Sequence, residues 1–398
     1  MRRVERNGLM RRGAIVSSAA VLLAFAAPAP LTQADTIRSH QWYLDAMRAE
    51  EMWRTSTGSG MTVAVVDSGV DAELPDLQGQ VLPGKDFSGL EGDAHSDYDG
   101  HGTSMAVLIA GTGGGNGEAG AFGLAPKAKI LPLRVVNAKV PAPKVLPATS
   151  IATAIRYAAD SEARIINVSM GGSFEHEDEA EAVRYAVSKG KLVFAAVGNT
   201  GNERNLPEYP AAFPGAVGVA AVDQDIKATA ESQHGPQVDL AAPGDNIVAT
   251  CKGGTGLCRS HGTSDATALT SASAALLWSA HPDWTANQVL RVLINTAGGP
   301  KSGEKRSDSI GYGVVRPRIA LQNPGDPGPA DISPLPELAA AKSPAPQVAA
   351  PPASKQTDKA DGSLLSKRNL IAVGACSAVA AAVTVAVLVI RRRRTLTR

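Results

Sequence analysis

The chain has 398 residues, 44% of them hydrophobic and 19% charged, with a formal net charge of +1. That length accommodates one large α/β domain with appendages, and the near-neutral balance gives no bulk electrostatic case for a nucleic-acid partner. The arginines gathered at the two ends read as targeting signals instead.

The N-terminus opens on Arg2, Arg3, Arg6, Arg11 and Arg12, followed by a short apolar run over 14–27 and small residues up to Ala34. This is the layout of a secretory signal peptide spanning 1–34; the apolar run is short for a membrane span. Residues 35–322 are expected to form the folded domain. Residues 62–66 are apolar and end at Asp67 and a glycine turn, the pattern of a buried parallel strand delivering a carboxylate at its carboxyl end. After a Gly- and Asp-rich loop over 71–98, Asp99-Gly-His101 leads into an apolar helix that stops at Gly111. Further strands are expected at 129–136, 164–168, 192–197, 216–222 and 238–240, with helices near 150–159 and 286–296. Another helix opens on the acidic run 175–181. That run reads as a solvated face and not as a calcium site, since negative charge suits a helix N-terminus. Strands alternating with helices point to an α/β fold with a doubly wound parallel sheet and helices on both faces.

Cys251 and Cys258 bracket a Gly-rich loop on the exported side, where an oxidising compartment favours a disulfide. Ser264 then opens a stretch without Gly or Pro that runs to His281 and is closed by Pro282. A serine in such a first turn lies among free N–H groups at the positive end of the helix dipole. The position suits an acyl-transfer nucleophile, whose oxyanion those groups can hold; it equally suits a plain N-cap. A serine hydrolase also needs a base and a carboxylate to orient it. Asp67, His101 and Ser264 supply the three groups, in the chain order Asp, His, Ser.

Val-Val-Asp67-Ser-Gly-Val, Asp-Gly-His101-Gly-Thr and His-Gly-Thr-Ser264 resemble the Asp, His and Ser motifs of the subtilisin-like serine proteases. Val193-Phe-Ala-Ala-Val-Gly-Asn199-Thr-Gly resembles the strand that presents the family's oxyanion-hole Asn. The likeness covers about residues 41–320. It implies a subtilisin-like fold and a serine endopeptidase acting on protein or peptide substrates, with no cofactor and no metal. The catalytic roles would fall to Asp67, His101, Ser264 and Asn199. It also implies substrate-groove walls at Leu133, in the 129–136 strand, and at Ser169-Met170-Gly171, where Met170 reads equally well as core. The tetrapeptide His-Gly-Thr-Ser occurs at 101–104 and again at 261–264. The flanks separate the copies: Asp-Gly precedes the first, leaving Ser104 as a helix-turn residue, and a small-residue helix follows the second, leaving His261 as a loop residue.

Residues 323–368 are rich in Pro and Ala, the composition of an extended tether. Residues 370–390 are apolar and uncharged, which meets the roughly 20 residues a bilayer requires. Four arginines at 391–394 follow, and the positive-inside rule puts the tail 391–398 in the cytoplasm. The expected protein is single-pass in the cell membrane with its catalytic domain outside. The segment Gln41-Trp to Met-Trp53 resembles the start of a mature catalytic domain and leaves no room for a folding propeptide. With signal peptide, tether and anchor, this architecture resembles the mycosins, membrane-anchored proteases associated with type VII secretion, and implies that machinery as a partner. A catalytically weak structural part of a secretion complex and a general surface protease are the rival readings. The chain departs from the family pattern at Ala268, where Pro is usual, and at Asp265, where an apolar residue is usual; it also offers a single disulfide where mycosins imply more. A full charge on Asp265 at about 6–8 Å and an effective dielectric near 20 would oppose an oxyanion by about 2–3 kcal/mol, so Asp265 is expected to restrain activity or to select basic substrates.

Overall fold

A computed structural model of the protein describes residues 36–114, 120–135, 147–250, 253 and 256–335. The expected signal peptide, membrane segment and basic tail lie outside the described residues. No helix among the described residues is long and apolar enough to cross a membrane. The strands are β1 (Thr62–Asp67), β2 (Lys85–Asp86), β3 (Lys129–Arg134), β4 (Ile165–Val168), β5 (Leu192–Ala196), β6 (Ala216–Val222) and β7 (Leu240–Pro243), with a hairpin of β8 (Ile247–Thr250) and β9 (Leu257–Ser260). The helices are α1 (Trp42–Met47), α2 (Ala49–Trp53), α3 (His101–Ala110), α4 (Pro147–Asp160), α5 (Glu177–Ser188), α6 (Thr263–Ala280), α7 (Ala286–Thr296) and α8 (Pro317–Gln322).

The seven strands β1 to β7 make one sheet in the order β2-β3-β1-β4-β5-β6-β7, parallel throughout. Both faces are buried, which is why these strands read as unbroken apolar runs and not as alternating ones. Val63 and Val65 of β1 join Phe194, Val217 and Val219 on the face covered by α3, α6 and α7. Ala64 and Val66 join Ile166, Val168 and Val193 on the face covered by α4 and α5. The chain leaves β1 for β3 on one side and returns to β4 on the other. The carboxyl end of β1 is therefore a topological switch point, where open α/β sheets form their crevices.

Helix α6 runs through the core, buried from Thr263 to Trp278 except at Ser264. Its alanines and serines let it lie close against the sheet. The buried hydroxyls of Thr267, Thr270 and Ser273 donate to carbonyls one turn back at 2.7, 2.9 and 2.7 Å, and Ser271 donates to Asn167 Oδ1 at 2.9 Å. No hydroxyl in this row is left to bear the cost of burial unpaired.

Two expectations are corrected here. Residues 323–335, expected as the start of the tether, fold back on α7. Arg291 Nη1 donates to the carbonyls of Pro327 and Pro329 at 2.6 and 3.0 Å, Asn287 Nδ2 donates to Ala330 at 3.0 Å, and Leu335 is buried. The guanidinium fork satisfies carbonyls that a Pro-rich segment cannot pair within itself. The acidic run is likewise not wholly solvated, since Glu179 in the first turn of α5 is only 3% exposed. Burial pushes its carboxyl up from 4.5 to about 7. A carboxyl whose folded pKa exceeds its unfolded one binds more protons when folded, so its contribution to stability falls as pH rises through that window. Glu179→Gln should therefore raise stability above neutral pH by about 1–3 kcal/mol. It should also flatten the decline between pH 4.5 and 7, as read from urea unfolding across pH.

Candidate active site

Asp67 closes β1 with no exposed surface. Its Oδ1 accepts from Ser68 N at 2.7 Å and from His101 Nδ1 at 2.8 Å, while its buried Oδ2 has no partner among the described residues. His101 is the first residue of α3 and keeps 31% of its side chain exposed. Gly102 makes this docking possible: a Cβ there would strike Gly69 O and stand 3.0 Å from Asp67 Cβ. Burial by itself would lower the His101 pKa. The Asp67 carboxylate outweighs it by charge and hydrogen bond, with help from Asp265 and Asp99, and holds the imidazole above its ordinary value of 6.5.

Two groups absent from the sequence expectations position this pair. The buried carboxylate of Asp97 accepts from Ser68 Oγ at 2.9 Å, Gly100 N at 2.8 Å, Thr103 N at 2.9 Å and Thr103 Oγ1 at 2.5 Å. It caps α3 in place of its glycine N-cap and ties the turn after Asp67 to the turn that carries His101. Arg134, paired in register with Asp67, is 1% exposed and donates to the carbonyls of Glu91 and Asp93 at 2.9 and 3.2 Å. It pins the long loop that delivers Asp97. The sequence signal for Asp97 was its place three residues before Gly100, a capping position that the neighbouring Asp99 obscured.

Ser264 lies in the first turn of α6, half-buried. Its Oγ donates to the Ser169 carbonyl at 3.2 Å, and Ser169 Oγ donates back to the Ser264 carbonyl at 3.2 Å. The hydroxyl thus rests against β4's exit and not on His101, an arrangement common before substrate arrives. Asn199, exposed just beyond β5, uses its Oδ1 to accept from Thr263 N at 2.8 Å and Thr263 Oγ1 at 3.1 Å. That leaves the Nδ2 donors for a ligand beside Ser264. Ser104 lies in the first turn of α3, and exposed His261 stands 3.5 Å from Glu231 Oε1, so neither joins the Asp67–His101 pair.

The expected groove walls fare unevenly. Leu133 is corrected: its side chain is fully buried, because the face of β3 it points from is covered by α4. Ser169 is also buried, its hydroxyl engaged with Asn167 Nδ2 at 3.0 Å and with Ser264, so it meets the site through its carbonyl. Met170 packs half-buried against the core, and Gly171 is exposed. Cys258 on β9 is disulfide-bonded; Cys251 lies outside the described residues.

The profile of the subtilase family matches residues 58–313. The chain belongs to the subtilase family. It is 37% identical over 260 residues to thermitase of Thermoactinomyces vulgaris, across 65% of this chain and 88% of that protein. Among solved structures, MycP1 from Mycobacterium smegmatis superposes with a TM-score of 0.65 at 27% identity, covering 75% of this chain and 88% of that one. A MycP1 structure described as a serine protease and an essential component of the type VII (ESX-1) secretion system gives 0.64 at 32%, covering 73% and 90%. This subtilase is a serine endopeptidase.

Asp265 follows Ser264 in the first turn of α6. Its carboxylate does not point into solvent but is 2% exposed, and Oδ1 accepts from Ser260 Oγ at 2.7 Å. Burial pushes its pKa up to about 6, against the pull of Ser260 and of the charges on His101 and His261. As an anion it favours the imidazolium form of His101 and opposes negative charge developing beside Ser264. Were His101 the base, which must be neutral to take a proton, Asp265 would displace the acidic limb of activity towards higher pH. Asp265→Asn should move that limb of kcat/KM to lower pH and raise kcat on neutral peptides by less than about 30- to 150-fold. A pH–rate profile of wild type and variant checks both, and an unmoved limb with unchanged rate would remove Asp265 from the site's electrostatics.

Proposed function

We propose that this subtilase cleaves peptide bonds through Asp67, His101 and Ser264. The observation that carries the reading is the 2.8 Å bond from His101 to a carboxylate with no exposed surface, formed where α6 brings Ser264 to the same edge of the sheet. Ser264 Oγ turns from the Ser169 carbonyl to His101 and attacks the peptide carbonyl. His101 takes the proton and returns it to the leaving amine, while Asp67 holds its tautomer and stabilises the imidazolium. The Ser264 N–H and Asn199 Nδ2 receive the oxyanion, the side-chain donor contributing about 3–4 kcal/mol. A Cys251–Cys258 disulfide braces the loop before α6.

In the same reading, a signal peptide at 1–34 exports the domain, the chain beyond residue 335 is the tether, and 370–390 anchors it with 391–398 in the cytoplasm. Apolar segments and the arginine block support this topology. The likeness to MycP1 supports an association with type VII secretion machinery. Labelling with a fluorophosphonate probe tests the chemistry: it should vanish in Ser264→Ala and persist in Ser104→Ala, and labelling that survives Ser264→Ala sinks the assignment. Protease added to intact cells should remove the domain and spare a short C-terminal stub; a fully protected domain refutes the orientation.

A further inference from the structure

Two strand exits flank Ser264. Residues 169–172 leave β4, tied to Ser264 by the reciprocal Ser169 bonds. Residues 197–199 leave β5, tied to α6 by Gly198 N donating to Thr263 Oγ1 at 3.2 Å and by Asn199. Past the first exit, Gly172 pairs with Tyr209 in an antiparallel bridge, N to O at 3.1 and 2.9 Å. That bridge carries Glu208 into the space between the exits. A Cβ on Gly198 would stand 2.6 Å from Glu208 Cδ, and one on Gly171 would stand 3.9 Å from Glu208 Oε2. Both walls are bare where the carboxylate lies.

The carboxylate is held and half-used. Its Oε1 accepts from Gln233 Nε2 at 2.9 Å. Gln233 is fully buried, and its Nε2 also donates to Thr200 Oγ1 at 2.9 Å while its Oε1 has no partner among the described residues. An amide that gives both protons and strands its own oxygen is oriented to serve a negative neighbour. Among the described residues no hydrogen bond or ion pair is made to Glu208 Oε2, and no Lys or Arg comes within ion-pair distance of Glu208. A half-buried carboxylate with one fixed donor and one open oxygen, facing glycine walls beside a nucleophile, is a receptor for a cation that arrives with the substrate.

We propose that Glu208 is a specificity-determining residue of this site. Its carboxylate receives the ammonium or guanidinium of a Lys or Arg whose own carbonyl is attacked, so the substrate class is peptides cleaved after basic residues. The proposal rests on the reading of Ser264 as nucleophile.

Matched peptides differing only at that position test it: Lys, Arg, Gln, Met and Glu, assayed at mildly alkaline pH. Wild type should favour Lys and Arg over Gln and Met by about 10- to 100-fold in kcat/KM. Glu208→Gln should collapse that ratio towards one, and Glu208→Lys should invert it towards the Glu peptide. Should the variants fail to fold, wild type alone decides: an alkylguanidinium should inhibit competitively at lower concentration than the uncharged alcohol of equal length. Fluorophosphonate labelling on the same preparations separates the two levels. Labelling that survives Ser264→Ala overturns the nucleophile. Labelling that depends on Ser264, with no basic preference or with one that persists in Glu208→Gln, overturns Glu208 alone.

Discussion

Asp67 carries a carboxylate entirely out of water, and among the described residues two donors reach it: its neighbour's N–H and the imidazole of His101. An ion so placed costs several kcal/mol unless a partner answers it. The partner sits on another element, 34 residues along the chain, so α3 must dock on the end of β1 for the sheet to tolerate its own central residue. Gly102 permits the approach and Asp97 fastens it. Stability and the candidate chemistry rest on one contact, since the geometry that neutralises Asp67 is the geometry that aims His101.

The opposite half of the site depends on a different physics. α6 is buried almost end to end, so its position is set by close contact of small side chains with the sheet and by hydroxyls paired with its own carbonyls. Ser264 is the gap in that burial. Around it the polar groups bind one another in a ring: Ser169 with Ser264, Thr263 with Asn199, Ser260 with Asp265. Most of these link α6 to a strand exit, so the first turn of the helix is tied to the carboxyl edge of the sheet. Asp265 belongs to this ring, which is why its side chain turns inward.

Local patterns were legible where one element explains itself. The start of α3 at His101, the strand into Asp67 and the small-residue helix behind Ser264 all follow from apolar runs, turns and caps within a dozen residues. Leu133 was misassigned because a strand buried on both faces carries no polar alternation to say which way a side chain points. Glu179 was misread because a charged run at a helix start has the same composition whether Glu179 faces water or the core. Arg134 went unnoticed because its partners Glu91 and Asp93 lie on a distant loop, at separations no periodicity reports, and Asp97 because its neighbour Asp99 obscured its local tie to Gly100.

The residues alone determined which reactive groups the chain owns and in what order: a carboxylate after an apolar strand, a His before an apolar helix, a Ser at the head of another. Those features are local, and each is stabilised within its own stretch by strand burial or helix capping. Only the tertiary structure decided their company. Parallel order brought β1, β4 and β5 to a shared edge, the Gly172–Tyr209 bridge carried Glu208 between two strand exits, and the packing of α6 turned Asp265 away from water. These placements come from pairings between segments distant in the chain, whose free energy belongs to the assembled sheet and to no single stretch of it.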